Sequence, residues 1–391
     1  MKTLSILGST GSIGRSCLSV IEELPNDFRV AGLAAGNNIT LLAEQINRFQ
    51  PPIVSVSEPI AKEALERRLQ QLGVSHRPKI VTGLEGITLV ATHPEADLVV
   101  SAIVGVHGLL PTLAAIECGK TIALANKEIM VVAGELVTTA AKRNKVDILP
   151  VDSEHNAIHQ CLRAGKREEV RQVILTASGG PFRSYSPAML ESVTPAMALN
   201  HPTWRMGHRI TIDSATMMNK GFEVLEAKWL FDLPIDKISV LIHPQSTIHS
   251  MVEYRDGSVI AQLGVTDMRH PIQYALTYPE RVASPRPSLD FRAVQKLEFM
   301  QPDFDQFPCL ELAYQAARKL GAQPCTLNAA DEVAVQHFLA GGIQFVTIPR
   351  IVRRMLECCG SQSNFSTVSE LLQYDRSVRE ETRLLIERDY H

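Results

Sequence analysis

The sequence predicts an α/β protein in three parts: a doubly wound parallel sheet at the N-terminus, an α+β middle domain and a C-terminal α-helical bundle. Three observations carry this. Short apolar runs alternate with amphipathic stretches of helical length as far as about residue 150. Strand-like runs then gather around the hairpin signal Asp256-Gly257. Beyond a stretch holding prolines 279, 285, 287, 302 and 308, only helix-period segments remain.

Taken in order, strands are expected at 2–7, 29–34, 53–56, 79–81, 98–101, 121–123 and 146–149. Helices are expected at 39–49, 61–72, 108–118 and 128–144, with another opening after the first strand. In the middle, a helix at 154–165 precedes a strand at 170–177, and a helix at 214–231 precedes strands at 238–242, 250–254 and 258–264. The last helices are 309–320, 326–340, 348–358 and 367–388. The expected divisions are therefore 1–150, 151–278, a connector at 279–308, and 309–391.

The 391 residues carry a formal net charge of −3, which argues against nucleic acid as a partner. Any anionic small molecule must therefore meet a local basic cluster. No apolar run approaches membrane-spanning length, so no membrane is expected. The seven cysteines are scattered, odd in number and lack zinc spacing, which suits a reducing compartment. A strand beginning near Leu4 leaves no room for a signal peptide, and the expected location is cytoplasmic.

The first strand stops at Gly8-Ser9-Thr10-Gly11-Ser12-Ile13-Gly14, a G-x-x-G-x-x-G loop opening a helix. That context suits a Rossmann-like dinucleotide site, with the pyrophosphate on backbone N–H groups at the helix N-terminus. A plain glycine-rich turn is the alternative. The second strand ends Ala34-Ala35-Gly36-Asn37-Asn38, with no acid to hold a ribose 2′-hydroxyl or repel a 2′-phosphate, so the cofactor leans to NADPH.

Asp152 and Glu154 follow a strand ending in proline. In extended backbone their carboxylates would share one face and call for a cation, although a solvated turn would look the same. Ser178-Gly179-Gly180-Pro181 can present N–H groups to an anion. The run 201–207, with its extension to 209, has the polar and aromatic mix of either a lid or an ordinary surface loop. Asn219, Lys220 and Glu223 fall on one helix face, as solvated trios also do.

These motifs, with Asn126-Lys127-Glu128, His201-Pro202-Thr203-Trp204-Arg205-Met206-Gly207 and Met218-Asn219-Lys220-Gly221-Phe222-Glu223, stand in one order. The chain resembles the 1-deoxy-D-xylulose 5-phosphate reductoisomerases over its whole length. The resemblance implies an NADPH-dependent, metal-assisted rearrangement and reduction of a sugar phosphate by a homodimer. It implies that Asp152, Glu154 and Glu223 hold Mg²⁺ or Mn²⁺, with Co²⁺ also acceptable. Ser178, Ser214, Asn219 and Lys220 would bind the substrate phosphate, and Ser153 and Lys127 its carbon chain. His201 and Trp204 would belong to the lid, which with the metal ligands and Lys127 makes the middle domain catalytic. Thr10, Gly11, Ser12, Ile13, Gly36, Asn37, Asn38, Asn126, Glu128 and Gly207 would line the cofactor. Relatives commonly carry a basic residue where this chain has Asn37, which loosens the expected grip on the 2′-phosphate.

Overall fold

The computed structural model describes residues 1–201, 203–204, 206–359 and 364–390. The chain forms two compact units. The first comprises Met1–Ile129, Glu135–Asn156 and Asp267–Arg286, and the second Met130–Gly134, Ala157–Thr266 and Pro287–His391. These divisions differ from the sequence-based segments in returning residues 267–286 to the N-terminal unit and in joining the C-terminal helices and most of the expected connector to the middle domain as one unit.

The first unit is built on strands β1 (Lys2–Leu7), β2 (Phe28–Ala34), β3 (Ile53–Val56), β4 (Lys79–Thr82), β5 (Leu98–Ser101), β6 (Thr121–Leu124) and β7 (Ile148–Pro150). Between them run α1 (Ser12–Glu23), α2 (Ile39–Phe49), α3 (Pro59–Gln71), α4 (Gly83–Ala91), α5 (Leu109–Glu117) and α6 (Lys127–Asn144). The strands pair in parallel in the order β4-β3-β2-β1-β5-β6-β7. Strand order therefore reverses between β1 and β5, the point at which sheets of this kind take ligands at the carboxyl ends of their strands. Leu4, Ile6, Leu33, Val54 and Val100 of the central strands are buried in one core. Strands covered on both faces need such near-continuous apolar runs.

The rest of the chain supplies α7 (Ser153–Cys161), β8 (Val170–Ala177), the short helices α8 (Pro187–Leu190) and α9 (Pro195–Ala198), α10 (His208–Ala215) and α11 (Met218–Leu230). Then come β9 (Ile238–Ile242), β10 (Ile248–Tyr254), β11 (Val259–Leu263), α12 (Arg269–Thr277), α13 (Pro308–Lys319), α14 (Gln323–Leu339), α15 (Thr347–Cys359) and α16 (Val368–Asp389). The second unit holds a mixed sheet ordered β11-β10-β8-β9, antiparallel except for β8 with β9. Val173, Leu175, Val240 and Val252 of this sheet share one hydrophobic cluster with Phe222 of α11 and with Leu310, Leu327, Phe338 and Ile351 of the C-terminal helices. The expected bundle is thus present as helices, yet its core is continuous with the sheet.

Four local differences from the sequence reading have identifiable causes. The stretch expected as one helix at 214–231 is broken at Met217, whose φ of +64° ends α10 and restarts the chain as α11. The helix expected at 154–165 is α7, which passes at Leu162–Ala164 into a tighter 3₁₀ turn. Helix α4 was not expected at all. Neither was α12, whose Ile272, Ala275 and Leu276 are buried in the first unit's core.

Candidate active site

In the first unit, the loop after β1 is folded onto the strand-order reversal. Gly8 takes φ +92°, and a Cβ there would lie 2.6 Å from the Ala102 carbonyl oxygen beyond β5. At Gly14 a Cβ would meet the Gly8 oxygen at 2.3 Å, so the first turn of α1 can lie on the loop only with glycine there. No side chain caps α1. Its first N–H groups are therefore available to an anion, as a pyrophosphate site requires. Thr10, Gly11, Ser12 and Ile13 lie on this loop and turn.

Gly36, Asn37 and Asn38 lie exposed between β2 and α2. Asn38 caps α2 through its Oδ1, which accepts from Leu41 N–H at 3.3 Å. Asn37 Oδ1 accepts from Ser57 Oγ at 2.6 Å, so Asn37 is oriented by the loop after β3. Nothing stands within 4 Å of where a Gly36 Cβ would be, which leaves that edge open.

Asn126 caps α6 with its Oδ1 on Ile129 N–H, while its amide donates to the carbonyls of Ile103 and Gly105. It is buried, and its side chain holds the loop after β5 in place. Lys127 and Glu128 follow in the first turn of α6. Lys127 Nζ lies 2.6 Å from Asp152 Oδ2, with the two side chains only 8% and 12% exposed.

Asp152 and Glu154 do not meet through extended backbone. β7 ends at Pro150 and α7 begins at Ser153, so Asp152 stands at the helix entrance and accepts from Glu154 N–H at 3.3 Å. A carboxylate oxygen of each lies within 4.8 Å of the other all the same. Burial works to raise the Asp152 pKa, but the charges of Lys127 and His155 and the side-chain hydrogen bonds with Glu154 and Lys127 together outweigh it and hold the carboxyl well below the usual range. Ser153 Oγ donates to Glu154 Oε2 at 3.0 Å. The chemistry of these two carboxylates suits a hard divalent cation better than zinc.

In the second unit, Gly179 and Gly180 take φ of +81° and +70° after β8. A Cβ on Gly180 would lie 2.7 Å from the Ser214 carbonyl, so this glycine lets the loop touch the end of α10. His201 Nε2 lies 3.1 Å from both Ser178 Oγ and Ser214 Oγ. Its Nδ1 accepts from Thr203 and Trp204 N–H groups at 3.2 and 3.0 Å, which places the ring proton on Nε2. Burial, followed by the charge of Arg183, pushes His201 down to about 4. The ring is neutral near pH 7 and donates towards the two hydroxyls. Arg183 was not anticipated, although a cation five residues past Ser178 in the same loop was a visible signal.

Trp204 stands with its ring centroid 6.3 Å from that of His249. Pro202 and Arg205 of the expected lid lie outside the described residues. Gly207 is the exposed N-cap of α10. On α11, Glu223 is fully buried, accepts from Asn219 Nδ2 at 2.7 Å and pairs with Lys220. Lys220 and Glu223 are buried and Asn219 half-buried, so the trio is not a solvated face.

Family models described as 1-deoxy-D-xylulose 5-phosphate reductoisomerase and its C-terminal domains match residues 4–134, 148–231 and 263–381. The chain belongs to this family. It is 52% identical over 386 residues to the 1-deoxy-D-xylulose 5-phosphate reductoisomerase of Desulforamulus reducens, covering 99% of each chain. Among solved structures it is similar to the Zymomonas mobilis reductoisomerase in complex with NADPH (TM-score 0.92, 42% identity, 99% of each chain). It is likewise similar to a DOX-P reductoisomerase in complex with NADPH, fosmidomycin and magnesium (TM-score 0.93, 41% identity, 99% of this chain and 100% of that one). Among the described residues, no helix is long and apolar enough to cross a membrane.

Proposed function

We propose that Asp152, Glu154 and Glu223 hold one divalent cation, and that Ser178, His201, Ser214, Asn219 and Lys220 take the substrate phosphate. The chain is an NADPH- and divalent-metal-dependent oxidoreductase. It converts 1-deoxy-D-xylulose 5-phosphate to 2-C-methyl-D-erythritol 4-phosphate in non-mevalonate isoprenoid biosynthesis. The observation that supports the site assignment best is the Lys127–Asp152 pair beside Glu154. An acid held ionised in a buried setting is poised for a cation, and a lysine beside it can balance an anionic intermediate.

When bound, Mg²⁺ or Mn²⁺ supplies Lewis-acid stabilisation of charge on the hydroxyketone oxygens, and Co²⁺ has similar capacity. NADPH supplies the hydride that reduces the rearranged aldehyde. The chain's own residues bind, orient and exclude water. His201 Nε2–H and the Ser178 and Ser214 hydroxyls donate to phosphate oxygens, and Lys220 adds charge. Binding energy taken from the phosphate, remote from the reacting carbons, closes the loop ahead of α10 with Trp204 over the carbon chain, since the last two residues of the expected lid, His208 and Arg209, already belong to that helix. Lys127 and Ser153 face that chain. The glycine loop from Thr10 to Ile13, together with Gly36, Asn37, Asn38, Asn126, Glu128 and Gly207, forms the cofactor's surroundings.

The working form is a homodimer in the cytoplasm. The exposed apolar side chains Val259, Ile260, Phe291, Leu297 and Phe299 of the second unit favour a covering partner, Val259 and Ile260 lying on the edge strand β11. All seven cysteines are free, as a reducing compartment allows.

The test is NADPH oxidation with the hydroxyketone phosphate, with and without Mg²⁺ or Mn²⁺. Glu223→Gln should lower turnover by ~10² or more, as loss of electrostatic stabilisation does, and should weaken Mn²⁺ binding. An unchanged metal dependence in that variant would sink the ligand assignment.

A further inference from the structure

Helix α10 has only eight residues, and no side chain caps its start at Gly207. A helix this short has little stability of its own, so contacts from elsewhere must set its orientation. Its inward residues Thr211, Ile212 and Ala215 supply part of that. Apolar packing, however, leaves rotation about the helix axis loosely defined.

A directional polar constraint comes from Arg209. Its Nη1 donates to Glu332 Oε2 at 2.8 Å and its Nη2 to Asn328 Oδ1 at 2.9 Å. Nη2 also lies 3.9 Å from Asp331 Oδ2. Asn328, Asp331 and Glu332 stand at i, i+3 and i+4 on one face of α14, so the planar guanidinium grips two successive turns. On its own helix, Nε lies 3.6 Å from Asp213 Oδ2, and the guanidinium carbon stands 5.8 Å from the centre of the buried Phe222 ring. Glu332 in turn accepts from Arg379 Nη2 at 3.1 Å, and Arg379 is held by Asp375 at 2.6 Å. One line of ion pairs therefore runs from α10 through α14 to α16.

Ser214 lies five residues beyond Arg209, roughly 140° round the helix at 3.6 residues per turn. Fixing Arg209 against α14 thus turns Ser214 the other way, where its hydroxyl stands 3.1 Å from His201 Nε2. A lysine could keep the charge but not the two-turn grip.

We infer that Arg209 is a positioning residue for substrate: by clamping α10 to α14 and α16 it sets the rotation that presents Ser214 to the substrate phosphate. The inference rests on the phosphate-binding reading of Ser178 and Ser214 above. It makes the C-terminal helices, which contribute none of the assigned ligands, part of the apparatus that sets substrate affinity.

The experiment compares Arg209→Lys, Glu332→Gln, their double variant and Ser214→Ala in the full-length enzyme with NADPH and Mg²⁺. The readouts are KM for the hydroxyketone phosphate, KM for NADPH, kcat and Tm. Arg209→Lys and Glu332→Gln should each raise substrate KM by roughly tenfold, the scale of a lost charge-assisted hydrogen bond. Both should leave kcat within about threefold and KM for NADPH unchanged. The double variant should be no worse than the poorer single one, because both break the same contact. A lowered Tm with unchanged substrate KM would make the cluster a plain brace and overturn the inference. A rise in both KM values together would overturn it as well. Should Arg209→Lys fail to fold, Glu332→Gln and Asn328→Ala decide by the same criteria. Ser214→Ala separates the two readings: if it leaves substrate KM unmoved, the phosphate assignment falls. If it raises KM while Arg209→Lys does not, only the positioning role falls.

Discussion

Lys127 Nζ and Asp152 Oδ2 stand 2.6 Å apart at the mouths of two different helices, and each side chain is almost wholly buried. Lys127 thus occupies one oxygen of an acid assigned to the cation, so the two positive charges compete for the same carboxylate. Lys127→Met should strand that carboxylate and destabilise the metal-free protein by about 3–5 kcal/mol, the usual cost of breaking a buried pair from one side. The same variant should bind Mn²⁺ more tightly, since a competing cation is gone, while turning over far more slowly. Urea unfolding at pH 7 and Mn²⁺ titration check both. The pair's stabilisation should be complete above about pH 4, the unfolded carboxyl value, and lost as acid carries the medium down through the depressed value of the folded chain. Equal stability with weaker Mn²⁺ binding would contradict this.

His201 should remain neutral through the physiological range. Its pKa is pushed down to about 4 by burial and then by Arg183, so its contribution to stability is complete above about pH 6.5. That contribution is lost as pH falls through about 4. Nitrogen-resolved NMR of the ring should find the Nε2–H tautomer and a midpoint near that value. Inorganic phosphate seated against Ser178 and Ser214 should raise the midpoint, because a nearby anion favours the charged ring. A midpoint near the unperturbed value, or one indifferent to phosphate, would show that the ring lies outside the phosphate site.

Asn37, proposed to face the adenine ribose, has a neutral side chain whose Oδ1 is already engaged by Ser57. No acid stands on the end of β2 to repel a 2′-phosphate, so NADPH should remain preferred, by a smaller margin than in relatives with a cation there. Asn37→Lys should widen the margin by up to about 1 kcal/mol, the scale of an exposed ion pair. The comparison is kcat/KM with NADPH and NADH for parent and variant. A parent that favours NADH, or a variant that gains nothing, places position 37 away from the 2′-phosphate.

Much of this was legible in the sequence because it rests on local patterns. The glycine loop, the alternation of strands and helices, and the Asn219-Lys220-Glu223 face all follow from spacing along the chain. What stayed hidden depends on contacts between distant residues or on single backbone angles. Helix α4 is mostly apolar, so no periodic stripe marks it. Pro271 stands in the first turn of α12, a permitted place that nevertheless reads as a break. The left-handed angle at Met217 follows from no propensity of methionine. The Asp152 and Glu154 carboxylates lie close together, as their spacing suggests, but through a helix start between them and not through extended backbone. Arg209 has its main partners 119 and 123 residues away, beyond the reach of any local pattern.

The placement of α12 has a consequence for how the protein is made. Asn156 donates to the Pro271 carbonyl, Lys2 Nζ donates to the carbonyls of Leu276 and Tyr278, and Arg286 is held by Gln273 and Glu23. The N-terminal sheet's core is closed by a segment translated more than a hundred residues after its last strand. At a synthesis rate of roughly 5–20 residues per second, the nascent nucleotide-binding unit spends several seconds with part of its apolar surface uncovered. During that interval it is a natural client for chaperones.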